Sequence, residues 1–240
     1  MLERCRKAAL AYGRSLPDFV CTEVIKRYTD QSTRPGQPHV VNWHLDDTLT
    51  VKLTYFEQKE DHKLNLIDGN PTDLTLDSIY GALGTGEFGG MLYGIFQPSS
   101  AATFRWERWK DVRRRRAAVY SYVVQQSNSS YLLAVGMPSD TQRAIVGYHG
   151  ELVTDRETGD VLSFTYQADG IPKRLLLTSV ITTVLYDFAD VGGRKYLLPA
   201  SSETEMRSPV KWVRNRIEFR DYNKFSSQST ITFDAVKEPR

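Results

Sequence analysis

Gly84, Gly86 and Gly89, inside the stretch GALGTGEFGG at residues 81 to 90, satisfy the G-x-G-x-x-G spacing that cradles the pyrophosphate of a dinucleotide. That chemistry needs a strand to deliver the glycines and a helix to leave them, so that backbone N–H groups and the helix dipole face the phosphates. Here the preceding segment reads as a helix. Leu76, Ile79, Tyr80 and Leu83 fall at i, i+3, i+4 and i+7 after the start signals of Pro71-Thr72-Asp73, and Gly84 stands where a helix-ending glycine belongs. Thr85 then caps a second helix of about 13 residues, roughly 20 Å long. Glu87 lies in its first turn, and Phe88, Met91, Leu92, Ile95 and Phe96 form an apolar stripe ending before Pro98. On that helix Gly86, Gly90 and Gly94 recur every four residues, so the glycines are read as packing and the nucleotide site is set aside.

Other chemistry-bearing residues are scattered. His39, His44, His62 and His149 form no H-x-x-x-H pair and join no cysteine pair with zinc-like spacing, so no metal site is expected. Nucleophile-elbow, phosphate-loop and kinase signatures are missing, so neither a cofactor nor a catalytic residue is nominated. Asp155-Arg156-Glu157-Thr158-Gly159-Asp160 offers carboxylates without the ligand spacing of a calcium loop, and reads as a hairpin turn. Arg113, Arg114, Arg115 and Arg116 lie between a strand with Phe104, Trp106 and Trp109 and one with Val119, Tyr120, Tyr122 and Val124. That cluster is a candidate for an anionic lipid headgroup or a protein partner, against the plainer reading of a solvated turn. Cys5 and Cys21 could close a short disulfide loop, or stand as two buried free thiols.

The elements that must position these residues come mostly from period-two patterns. Leu45, Asp47, Leu49, Val51, Leu53 and Tyr55 alternate with polar residues, as do Leu162, Phe164, Tyr166 and Ala168, and then Val213, Ile217 and Phe219. One-sided strands of this kind belong to an antiparallel sheet with a solvated face, and turn signals at 68–70, 157–160, 169–170 and 191–193 separate them at hairpin spacing, giving about ten strands. A first helix is carried by Leu2, Cys5, Ala9 and Tyr12 and stops near Gly13 and Pro17. LLLTSVITTVLYDF, residues 175 to 188, differs: Val180, Val184, Tyr186 and Phe188 share one face and Leu175, Leu177, Ile181 and Leu185 the other. This strand is expected to be covered on both sides or to line a cavity.

Composition is that of a globular chain, with 40% hydrophobic and 25% charged residues among 240. A formal charge of +2 is too mild for a phosphate-tracking surface, which excludes nucleic acid as the expected partner. The chain has no apolar run long enough to span a bilayer, and MLERCRKAALAYGRSLP places charges where an export signal would be apolar.

Four stretches carry a family resemblance: LPDFVCTEVIKRY (16–28), TGEFGGMLYGIFQPSSAATFRWERW (85–109), YHGELVTDRETGDVLSFTYQADGIP (148–172) and LYDFADVGGRKYLLP (185–199). With the order of elements, they resemble the LolA/LolB-like half-barrel superfamily of periplasmic lipoprotein carriers and outer-membrane receptors, and most closely uncharacterised bacterial exported proteins placed in it. The resemblance implies an α+β fold: a curved antiparallel half-barrel with an N-terminal helix and an inserted helical pair over the concave face, residues 1–240 forming one domain. It implies a periplasmic or otherwise exported location, and a hydrophobic ligand or lipoprotein acyl chain in the concavity.

The expected function is a non-enzymatic cell-envelope binding protein. Met91, Leu92, Ile95 and Phe96 are its lining candidates on the helix, and Val180, Val184 and Tyr186 on the strand. Burial of apolar surface would drive binding, at about 0.8 kcal/mol per methylene. The alternative is an interaction module whose concavity is filled by its own side chains and which docks an envelope protein. A hydrolase remains only if carboxylates and histidines converge in space.

Overall fold

The alternating stretches become strands of one curved antiparallel sheet. The computed structural model describes residues 1–30, 40–79, 86–137 and 140–225. In chain order the elements are α1 (Leu2–Ser15), β1 (Phe19–Asp30), β2 (His44–Phe56), β3 (Lys59–Ile67), β4 (Asn70–Pro71), α2 (Gly90–Phe96), β5 (Thr103–Val112), β6 (Arg115–Val124), β7 (Leu132–Met137), β8 (Asp140–Ile145), β9 (Gly147–Asp155), β10 (Val161–Asp169), β11 (Ser179–Val191), β12 (Arg194–Arg207) and β13 (Trp212–Lys224).

Eleven strands form the sheet in the order β4-β3-β2-β1-β13-β12-β11-β10-β9-β6-β5, and β7 and β8 make a separate hairpin. Among the described residues the edge strands β4 and β5 do not pair, so the sheet curves without closing into a barrel. Its centre joins distant parts of the chain, because β1 pairs with β13 from Phe19↔Lys224 to Asp30↔Trp212.

Side chains alternate between two faces. On β2, Leu49, Val51, Leu53 and Tyr55 are buried, and on β13 Asn215, Ile217 and Phe219 are buried while Arg216, Glu218 and Arg220 are exposed. The buried face is the inner one, covered by both helices. One inner cluster joins Cys5 and Ala9 of α1 and Leu92, Ile95 and Phe96 of α2 to Tyr122, Tyr148, Phe164, Tyr166, Val184 and Tyr186. A second gathers Phe19, Cys21, Leu49, Leu53, Phe88, Leu198 and Phe219.

The cover differs in detail from an inserted helical pair. Leu76–Ser78 forms only a 3-10 turn, Ile79 after it is extended (φ −93°, ψ 122°), and Tyr80 and Leu83 lie outside the described residues. The inserted α-helix is seven residues long, and the second helix over the sheet is α1. Gly86 (φ +101°) and Gly89 (φ +118°) explain the shortening, since both adopt left-handed backbone before α2 begins. The close approach expected of Gly86, Gly90 and Gly94 is made by Gly89, where an added Cβ would lie 3.1 Å from the Tyr12 ring and 3.2 Å from the Gly13 nitrogen.

Val180, Val184 and Tyr186 of β11 are buried on the inner side, as expected. Its other side is not covered: Leu185 is 41% exposed, because the helices lie on one face only. Leu175 belongs to a 3-10 turn before the strand, and Phe188 is exposed beneath the Arg115 guanidinium, 4.8 Å from its ring centre.

Candidate functional site

Tyrosine hydroxyls fasten the cover to the sheet. Tyr186 donates to the Glu87 carbonyl at 2.6 Å, Tyr148 to Gly94 at 3.0 Å and Tyr55 to Gly13 at 2.8 Å, while Tyr12 of α1 donates to Leu197 at 2.9 Å. Burial raises the pKa of Tyr12 and Tyr186 well above the usual phenol range, so both remain donors. Aromatic rings fill the space between: Phe96 stacks on Phe104 at 5.1 Å, and Tyr12 meets Tyr186 edge-on at 5.5 Å.

Beside the apolar clusters the inner face holds a polar set. His62 of β3 bonds Glu23 of β1 through Nδ1 at 3.0 Å and approaches Glu60 through Nε2 at 3.4 Å. Burial alone would disfavour its charge; the two carboxylates outweigh that and raise its pKa to about 10. Glu87, on the loop entering α2, is 3% exposed, and its pKa is pushed up to about 7 by burial and then by the charges of Glu23 and Glu60. Its carboxyl lies near the Ser202 hydroxyl, yet Glu87 Oε1 and Ser202 Oγ both lack a well-formed hydrogen bond. Asn215 is buried, and neither amide atom has a hydrogen-bond partner among the described residues. Among the described residues no set of His, Cys, Asp and Glu is arranged to hold a metal ion.

The sheet and its cover are similar to three solved bacterial structures. A LolA superfamily protein from Nitrosomonas europaea aligns over 93% of each chain at 8% identity and TM-score 0.39. A putative outer membrane lipoprotein-sorting protein domain from Vibrio parahaemolyticus aligns over 95% of this chain and 93% of its own, at 12% identity and TM-score 0.41. A DUF1329 family protein from Desulfovibrio piger covers 95% and 94%, at 8% identity and TM-score 0.40. No protein-family model matches the chain, and no curated protein matches it by sequence. Likeness this distant concerns the arrangement of sheet and helices, so the functional reading rests on the residues of this chain.

Of the lining candidates, Leu92, Ile95, Phe96, Val184 and Tyr186 come together in the first inner cluster, with Met91 packed at its margin. Val180 does not join them; it packs with Leu133, Ala144, Val146, Ala168 and Leu175. Two open spaces lie elsewhere. A groove of about 690 Å³ runs over the outer face of β1, β13, β12 and β11, between Val24, Lys26, Leu185, Glu203, Arg216 and Glu218. A smaller hollow of about 300 Å³ lies among Asp187, Leu198, Phe219 and Tyr222.

The arginine cluster forms the β5–β6 turn, with Arg113 and Arg114 in left-handed backbone (φ 47° and 66°). Most of its charge is already engaged: Arg113 pairs with Asp187 at 2.8 Å, Arg115 with Asp155 at 2.9 Å and Arg116 with Asp111 at 3.2 Å. Asp155 also accepts backbone bonds from Glu157 and Thr158, which folds residues 155–160 into the expected turn. Cys5 and Cys21 are free buried thiols in separate clusters, as in the second of the two readings. Burial raises the Cys5 thiol to about 12 and raises Cys21 further, so neither is a ready nucleophile.

Pairing register supplies what inspection of the sequence misses. Glu23 and His62 meet across β2, and Ser202 and Asn215 share the inner face of the neighbouring strands only because β1 lies between β2 and β13 and β13 between β1 and β12. The Leu53↔His62 and Tyr55↔Glu60 pairs put the β3 groups on the same inner face.

Proposed function

We propose that the chain is a non-enzymatic binding protein, one half-barrel unit over residues 1–240, which takes an apolar chain between its sheet and a cover that lifts. The observation that carries this reading is the seam, where a short helix is held over a continuous apolar surface by phenol-to-carbonyl hydrogen bonds. Seven residues are too few for a helix to persist alone, so α2 depends on its contacts. Displacing it would expose Leu92, Ile95 and Phe96 at about 2 kcal/mol each and break two tyrosine bonds of about 1 kcal/mol each, roughly 8 kcal/mol in all. An apolar chain of about 14 carbons buries enough methylenes for roughly 11 kcal/mol, which offsets that displacement.

Met91, Leu92, Ile95 and Phe96 would then line one side of the chain and Val184 and Tyr186 the other, with Val180 further along. Arg114, the one arginine of its turn drawn into no ion pair described here, is the best placed of the four for an anionic headgroup or envelope partner. No described helix is long and apolar enough to cross a membrane. The stretches that resemble exported bacterial proteins support an envelope location, and the likeness to a lipoprotein-sorting domain is compatible with an acyl-chain cargo.

A second reading is favoured by one observation: Leu92, Ile95, Phe96 and Tyr186 are almost completely buried, as in a core filled by its own side chains. Titration with a fluorescent acyl probe separates the two. Saturable binding, with several-fold faster association in Tyr186→Phe and Tyr148→Phe, supports the lifting cover. A wild-type protein and loosened variants that all ignore the probe leave the interaction module standing.

A further inference from the structure

We propose that Glu87, Ser202 and Asn215 form a head-group site on the inner face for an uncharged amide carried by an apolar chain. The inference rests on the reading above and names the polar end of its ligand.

Register places Ser202 and Asn215 side by side, and the cover brings Glu87 to Ser202. Ser202 lies opposite Ile217 and Thr204 opposite Asn215, so Ser202 and Asn215 share the inner face as diagonal neighbours, roughly 7 Å apart. Glu87 comes down on Ser202 from the cover. Glu87 is 3% exposed and the other two 2% each; the Glu87 carboxyl and the Ser202 hydroxyl have only each other, without a well-formed bond at Glu87 Oε1, and neither Asn215 amide atom has a hydrogen-bond partner among the described residues. Such atoms in one strip weaken the fold, because each buried polar group left unpaired costs about 1–3 kcal/mol. Pairing is attainable on this face: Thr182 and Thr204, in the same cross-strand row as Asn215, bond each other at 2.9 Å. The unpaired atoms therefore mark a place kept for a guest.

Chemistry selects the guest. Asn215 presents an N–H donor and a carbonyl acceptor side by side, the pattern complementary to another amide, and the Ser202 hydroxyl can serve either half. A carboxylate or phosphate is poorly suited. Arg27, in the same row, is already paired with Asp47, and His62 is held by Glu23 and Glu60. Those two glutamates against one imidazolium repel an anionic head, and an ammonium head, which has no acceptor, would leave the Asn215 N–H unpaired.

The test measures displacement of a fluorescent acyl probe by dodecanamide, dodecanoic acid and dodecylamine. The expected result for the wild type is a dissociation constant about tenfold lower for the amide than for the acid or the amine, the worth of one or two well-placed hydrogen bonds. In Asn215→Leu the three ligands should converge to within about twofold while the chain still binds. Should that variant fold poorly by circular dichroism, Ser202→Ala provides the same comparison with less change in volume. Equal affinity for the three ligands in the wild type, or an amide preference that survives both substitutions, overturns the head-group site and leaves the apolar-chain reading intact. Failure of every ligand to compete, with no binding of the probe itself, overturns both.

Discussion

The two faces of β12 and β13 solve the same problem differently. On the outer face charged groups are paired: Arg207 and Arg214 both bond Glu205, at 2.6 and 3.0 Å, and Arg216 bonds Glu203 at 2.5 Å. Trp212 lies under Arg207 and Trp43 under Arg214, with the cations 4.2 and 4.1 Å from the ring centres. On the inner face of the same strands Ser202 has only the Glu87 carboxyl beside it, and Asn215 has no hydrogen-bond partner among the described residues. Water and long flexible side chains reach the outer groups, so most pairing there is completed, the buried Arg214 Nε, 3.6 Å from Glu203, being left without a hydrogen bond. Under the cover a polar atom has only what the register places beside it. The faces also titrate in opposite senses. Burial opposes the charge on Glu205, but its arginine partners outweigh that and lower its pKa, whereas the pKa values of Glu87 and His62 are raised.

The largest expected effect breaks the inner side outright. Phe96→Ala removes a buried ring stacked on Phe104 and should lower the free energy of unfolding by about 3–5 kcal/mol in denaturant titration. The exposed Trp106→Ala should change it by about 0.5 kcal/mol or less. Next comes pH. Glu87 holds its proton more tightly folded than unfolded, so its contribution is fully present below about pH 4.5 and is lost as pH rises through about 7. His62 behaves in the same sense at higher pH: its stabilisation is complete below about 6.5 and disappears as pH rises towards 10. Stability should therefore fall between pH 5 and 9, and Glu87→Gln should flatten the lower part of that fall, removing about 3 kcal/mol of pH dependence. A variant whose profile matches the wild type would contradict the buried neutral carboxyl.

Glu205→Gln is smaller, about 1 kcal/mol, and should shrink further in high salt because the outer network is within reach of solvent. The Glu205 contribution runs opposite to that of Glu87, present above the ordinary carboxylate range and lost as pH falls through its lowered value. Asn215→Leu should have the least effect on folding, within about 1 kcal/mol in either direction, since it removes unmade hydrogen bonds. Loss of several kcal/mol there would mean that the amide is bonded in solution.

Much of the fold is legible from residue spacing. The α1 stripe and the alternation of β2 and β13 appear where Leu2 to Tyr12, Leu49 to Tyr55 and Val213 to Phe219 place them. The cover is less legible. Apolar spacing from Phe88 to Phe96 predicts a longer helix, but it does not report that Gly86 and Gly89 turn left-handed; a glycine fits helix and turn alike. The outer side of β11 follows the second of the two expectations: no described element packs over Ile181 and Leu185 as the helices do within, and Leu185 lines the outer groove. Gly150 gives no motif at all, though an added Cβ would collide with the Thr165 carbonyl. The polar strip fails to show for a different reason: Glu23, Glu87, Ser202 and Asn215 are far apart in sequence, and only pairing across the centre of the sheet, with the cover for Glu87, joins them.

The open edge at β5 has a consequence of its own. Ten residues of extended backbone present amide and carbonyl groups on their outward side, the template on which identical chains add themselves layer upon layer. Arg105, Arg108 and Lys110 stud that border, and Arg113 follows at its end. Charged side chains on an edge strand disfavour its pairing with another copy, so Arg105, Glu107, Arg108, Lys110 and Asp111 together work against fibril growth, an effect that concentrated salt would weaken.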